Sequence, residues 1–271
     1  MWGPDLEYVD EWTFPLLPDS GMGAPTQMVD ACVAVWRDPR TDRAVAPIGL
    51  LAAREGMTDV SSYVRPTIEE PVFRDSDGRV IDYGNLWADS PPESAYSVTE
   101  HLERYAPLHV VADALIEHLG DTYDVEFDEG PEAVADLVRP HRDTTRAVRM
   151  RPSDSDCATL TLIFTSYPGI GMHAGLLHDF YFPSCGCDAC DSTWQVEADG
   201  LERQVFAVVN GNYRESVKRG LRPMVGYAFT FPDGASSGRT GSDGIPAARL
   251  DAADHILSSL PDGWAAWPPR P

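Results

Sequence analysis

Three cysteines fall within six residues, Cys185-Gly-Cys187-Asp-Ala-Cys190, and only two others, Cys32 and Cys157, occur in the remaining chain. A random spread would put roughly 0.1 cysteines in such a window, so the cluster demands a physical reason. Cys185 and Cys187 stand two apart, which on extended backbone points both thiols to one side. Cys187 and Cys190 have the C-x-x-C spacing with which a tight turn brings two thiolates to about 2.3 Å from one zinc ion. A tetrahedral site then needs a fourth ligand. Two histidines precede the cluster in His173-Ala-Gly-Leu-Leu-His178-Asp-Phe-Tyr-Phe-Pro. His178 is expected as the fourth ligand, with His173 as the alternative and Asp179 as the carboxylate that orients an imidazole. A closed site of three Cys and one His has no room for substrate and stabilises the fold.

Other readings of the same residues stay open. The thiols could simply pack. Cys187 and Cys190 could form a dithiol switch, although Pro183 and Gly186 interrupt the strand-then-helix setting such a motif requires. A catalytic zinc of the deaminase type would need H-x-E, and the chain has His173-Ala-Gly175 instead. A nucleophilic cysteine served by His178 lacks any spacing that would supply an oxyanion hole.

Charge bounds the partners. The chain has 271 residues with 43 acidic against 21 basic, a formal net charge of −22. Such a chain repels phosphate backbones, so direct nucleic-acid binding is not expected, whereas a basic protein partner fits. Its hydrophobic content of 43% is that of a globular protein. No run of about 18 apolar residues is present, so no membrane-spanning helix is expected. The opening Met-Trp-Gly-Pro-Asp-Leu-Glu lacks the basic start and apolar stretch of a secretory signal, and an odd cysteine count argues against a disulfide scaffold. Both observations point to the cytoplasm.

Periodicity gives the elements. An irregular arm leads into a hairpin formed by Ala31–Trp36 and Ala44–Leu51, and Asp77-Gly78 is the turn of a second hairpin over 71–82. Leu108, Val111, Ala112, Leu115, Ile116 and Leu119 predict a helix closed by Gly120. A short strand at 123–127 and a short helix from Pro131 follow, then strands over 145–151 and 158–166. Residues 170–182 read as one strand delivering both histidines to the cysteine loop. A helix over 194–210, a strand over 224–231 and a last helix after Pro246 complete the pattern. Gly234–Gly244 reads as a flexible surface loop; as a phosphate cradle helped by Arg239 it lacks the G-x-x-x-x-G-K-[ST] pattern. His109 and His118, nine apart on one helix, cannot share a ligand, and His101 reads as a residue near a helix start. The expected class is α+β, a mainly antiparallel sheet with three or four helices. Residues 1–57 form an arm and hairpin, 58–262 the main domain and 263–271 an extended tail.

Two stretches carry a resemblance. Val80-Ile-Asp-Tyr-Gly84, Ala95-Tyr-Ser-Val98 and Arg104-Tyr-Ala-Pro-Leu-His109 form the first, and His173 through Cys190 the second. Together they resemble an uncharacterised actinobacterial domain-of-unknown-function family over roughly residues 60–215. The resemblance implies a cytoplasmic bacterial protein in which the His and Cys stretch is one unit; it implies no activity. The expected function is a zinc-stabilised accessory or protein-binding factor. The alternative is a metal-dependent hydrolase using the same cluster with an open coordination position.

Overall fold

The computed structural model describes residues 63–139 and 143–271. The arm and the hairpin of Ala31–Trp36 and Ala44–Leu51 lie outside the described residues. Among the described residues, two antiparallel sheets and four helices make an α+β fold. The first sheet is a meander of β1 (Val125–Glu129), β2 (Thr144–Pro152), β3 (Leu160–Thr165), β4 (Ile170–Ala174) and β5 (His178–Phe182), in that spatial order. The second holds β6 (Tyr213–Lys218), β7 (Met224–Phe231) and β8 (Gly234–Gly241). The helices are α1 (Pro107–Thr122), the single turn α2 (Pro131–Val134), α3 (Trp194–Val209) and α4 (Ala247–Ser258).

Apolar spacing places the core. Leu108, Val111, Leu115 and Leu119 of α1 and Ala198, Leu201, Val205 and Val208 of α3 are buried in one cluster with Leu160, Leu162 and Phe164 of β3. Each fully buried aliphatic side chain there contributes about 1.5–3 kcal/mol. β3 is buried on both faces; Ile163, on its other face, packs with Ala133, Leu137 and Ala147. The tail is fastened to this core: Trp264 and Trp267 are buried, and the Trp267 indole N–H donates to the Ala158 carbonyl at 2.9 Å.

Four expectations need correction. Gly120 does not end α1, which runs on to Thr122. A Cβ at Gly120 would lie 2.8 Å from the Phe127 ring, so the glycine serves close helix–strand approach. Residues 170–182 are two strands joined at Gly175, which has φ +68°. No polar turn residue marks that reversal, because Leu177 of the turn is itself buried against Leu250 and Ala253 of α4. β6 escaped notice because Glu215 occupies an inward position of an otherwise alternating strand. Gly234–Gly241 is a strand, paired with β7 from Phe231↔Gly234 to Met224↔Gly241 across the turn at Pro232-Asp233. A continuous partner overrides the low strand propensity of glycine.

The two sheets meet at a polar joint. Glu215 of β6 has no exposed side-chain surface. Its carboxylate accepts the N–H groups of Leu176 and Leu177 at 2.9 Å each and the Trp264 indole N–H at 3.1 Å. His178 Nδ1 lies 2.9 Å from the same carboxylate. Burial alone would raise the pKa of Glu215; His178 and the Leu176 N–H outweigh it and hold the group below its ordinary value. α4 closes the other side of the hairpin. Its Arg249 donates to the carbonyls of Leu176 at 2.6 Å and Leu137 at 3.2 Å.

Two expected outcomes follow from the joint. Gly175→Ala forces a left-handed backbone onto alanine and sets a Cβ 2.0 Å from Glu215 Oε2. It should destabilise the fold by about 1–3 kcal/mol in urea unfolding, and a neutral result would show that the turn can rearrange. Glu215→Gln removes one member of a buried pair and should cost about 3–5 kcal/mol at pH 7. A lowered folded pKa contributes stability above the unfolded value and loses it as pH falls through the folded one. The gap between wild type and Glu215→Gln should therefore narrow below pH 4.5, the ordinary value of the group. Denaturant titrations across pH 3–7 measure it.

Candidate metal centre

The cysteine loop links β5 to α3. Its middle is a 3-10 turn at Asp188–Cys190 with Cys187 in the capping position, and the Cys190 N–H donates to the Cys187 carbonyl at 3.2 Å. That turn folds the C-x-x-C spacing back on itself. The Sγ atom of Cys187 lies 3.3 Å from that of Cys185 and 3.4 Å from that of Cys190, and all three sit within 4.8 Å of one another. An ideal zinc tetrahedron with bonds of about 2.3 Å spaces its sulfurs about 3.8 Å apart, so a small outward movement admits an ion. Cys185 and Cys187 are half-buried, and Cys190 is exposed.

The thiols are not equivalent. Burial pushes Cys187 up, but the neighbouring Cys185 thiol and the N–H groups of Cys190 and Ala189 outweigh it and lower its pKa. Cys190 is pushed up to about 12 by burial and by the proximity of the other two sulfurs. Cys187, the middle sulfur of the three, therefore loses its proton more readily than Cys190.

The loop backbone is held from outside. Arg104, only 3% exposed, forms an ion pair with Asp188 at 3.1 Å and donates to the Gly186 carbonyl at 3.0 Å. Its guanidinium lies over the rings of Tyr83 and Tyr105, 4.3 and 4.7 Å from their centroids. Asp188 also accepts the Glu100 N–H, and its own N–H donates to the Val98 carbonyl at 2.8 Å. Asp191 accepts the N–H groups of Gly84 and Leu86 at 2.7 and 2.8 Å. Gly186 is required by contact, since a Cβ there would meet the Tyr167 hydroxyl at 1.6 Å. Both carboxylates interleaved with the cysteines are therefore committed to holding backbone, and neither is free to act as a general base. A hollow of about 280 Å³, bordered by Tyr83, Trp87, Val98 and Glu100, adjoins Asp188.

Neither histidine accompanies the sulfurs. His178 faces the joint with Glu215; its Nε2 is buried and has no hydrogen-bond partner among the described residues. His173, on the opposite face of the sheet, pairs through Nδ1 with Asp179 at 2.6 Å, and Arg249 Nη2 lies 3.5 Å from its Nε2. Asp179 thus orients His173, its register partner across the β4–β5 hairpin, rather than its chain neighbour His178. Its second oxygen accepts the Arg139 N–H at 2.8 Å. Thr161, His173 and Asp179 stand in register across β3, β4 and β5, an order that resembles a nucleophile–base–acid set. Thr161 is completely buried and its hydroxyl makes no hydrogen bond to the described residues, so the row has neither the activated nucleophile nor the access that catalysis needs. Cys157 is buried elsewhere with its thiol pushed up to about 11 by burial, and Cys32 lies outside the described residues.

Sequence reasoning missed Arg104, Asp188 and Asp191 as the frame of the site. The two aspartates did offer a signal: acidic residues interleaved with cysteines in one turn are well placed to accept backbone N–H groups. Arg104 had none, because its role depends on a partner 84 positions along the chain folding back onto it.

Comparison with known proteins places the chain without assigning a reaction. No curated protein matches it, and no solved structure does. The sequence model of one family covers residues 69–271, which takes in both sheets, all four helices and the cysteine loop. The match includes the segments that carry the resemblance noted above and continues past them to the last residue. The chain accordingly belongs to DUF6226, a family of unknown function.

Proposed function

We propose that Cys185, Cys187 and Cys190 bind one zinc ion whose role is structural, and that the protein acts through contacts with other proteins. The observation that carries this reading is the gathering of three sulfurs within 4.8 Å on a loop whose backbone is already fixed by Arg104, Asp188 and Asp191. Thiolates select zinc and other soft ions over magnesium or calcium. A reducing compartment such as the cytoplasm keeps three closely spaced thiols available for metal. The partner is a basic protein, recognised by the acidic excess that produces the net charge of −22.

The hydrolase reading retains one supporting observation: three protein ligands leave a fourth position for water or substrate. Against it stands the commitment of both nearby carboxylates, Asp188 and Asp191, to backbone N–H groups. Neither of these two carboxylates is placed to serve a metal-bound water as base. The structural reading is therefore preferred.

Elemental analysis of the full chain, purified without added metal, should find about one zinc per chain. Cys187→Ser should lose the ion and lower the melting temperature by about 5 °C, a shift that corresponds to roughly 1–2 kcal/mol in a domain of this size. Zinc should also protect the three thiols of wild type from alkylation by iodoacetamide. A metal-free preparation whose melting temperature does not respond to added zinc or to Cys187→Ser would remove the metal centre altogether.

A further inference from the structure

A second site lies on the sheet formed by β6, β7 and β8. Strand alternation puts Arg214 and Ser216 of β6, Gly226 and Ala228 of β7, and Ser237 and Arg239 of β8 on one face. The opposite face carries Tyr213, Val225 and Phe229 into the core. No carboxylate belongs to the outer face, although the chain has twice as many acidic as basic residues. Among the described residues, Arg214 and Arg239 have no ion-pair or hydrogen-bond partner. That sets them apart from Arg65, Arg146, Arg149, Arg151, Arg203 and Arg219, each of which is paired with a carboxylate.

The two side chains rest on glycines. A Cβ at Gly263 would lie 2.4 Å from Arg214 Cγ, and one at Gly226 would lie 3.1 Å from Arg239 Cγ and 2.9 Å from Ser216 Oγ. The absence of side chains at these two positions lets both arginine stems lie close against the backbone. Between them is a concavity of about 670 Å³, within the size range of small-molecule sites. Gly226 and Ala228 of that face border it, and so do the apolar side chains of Leu257, Leu260 and Pro261. Glu215 borders it too, but that carboxylate is fully buried and spent on the donors of the joint.

We infer that this concavity binds the phosphate group of a small molecule through Arg214 and Arg239, with an apolar or aromatic portion of the ligand against Leu257, Leu260 and Pro261. Guanidinium groups match the planar fork of two phosphate oxygens, and two of them without internal partners have no competing anion to displace. The Ser237 hydroxyl on the same face adds a neutral donor, while that of Ser216 donates to the Gly226 carbonyl. The limited concavity suits a small phosphate ester, whereas a polynucleotide would meet the acidic remainder of the surface. The site is separate from the cysteine loop and does not depend on metal there.

Isothermal titration of the full chain with inorganic phosphate and with AMP, at low and at 0.5 M salt, tests the assignment. AMP should bind, more weakly at high salt, and R214Q and R239Q should each weaken it about tenfold, the cost of one charge-assisted contact. R222Q removes an exposed charge that does not border the hollow and should leave binding unchanged. Equal binding of phosphate and AMP would keep the two arginines and discard the apolar contacts. No heat with either probe up to 10 mM, or an equal loss in R222Q, would overturn the proposal. So would a change of mass by light scattering in R214Q or R239Q without loss of AMP binding, since the face would then be a contact between copies. All three positions are exposed, and matching melting curves confirm that the variants fold.

Discussion

A single buried carboxylate determines how the halves of this fold meet. Glu215 sits at zero exposure with backbone donors from the β4–β5 turn, an indole donor from the C-terminal tail and an imidazole from β5 around it. An ionised carboxylate is tolerated in such a place only when its oxygens are fully engaged, and here four groups from three parts of the chain converge on it. A hydrophobic residue in its place would leave those donors without acceptors, and so would any shift of β6 against the hairpin. The charge thus fixes a register that apolar packing alone would leave less sharply defined.

The same arrangement explains which parts of the molecule could be read in advance. Helices α1 and α3 and strands β2, β3 and β7 follow apolar spacing because the positions they turn toward the main core are apolar. β6 was hidden by the one residue that makes the joint, and β8 by glycines and serines whose strand geometry is imposed by β7. The strand expected over 170–182 was divided for a related reason, since its turn is buried and carries leucines where polar residues normally signal reversal.

The site shows the same division. That three cysteines come together was legible from spacing, because the contacts involved span six residues or fewer. The placement of the histidines was not, because it depends on pairing across strands. One residue of separation along β5 sends His178 and Asp179 to opposite faces of the sheet, so two neighbours in sequence serve different networks. Proximity along the chain suggested a shared role that the period of a strand forbids. Arg104 reaches the loop over a distance in sequence that no local pattern spans.

The manner in which that loop is held bears on how quickly an ion can come and go. Its backbone is anchored by Arg104, Asp188 and Asp191, none of which is a thiol. Small zinc domains assemble around their metal, so loading them is a folding reaction. In the proposed site the anchors are separate from the ligands, so an ion taken up by the three sulfurs would enter a loop whose backbone is held independently of them, one of the three thiols being exposed. Exchange of an ion held by the three proposed sulfur ligands would then be ligand exchange at sulfur and would not require the loop to unfold.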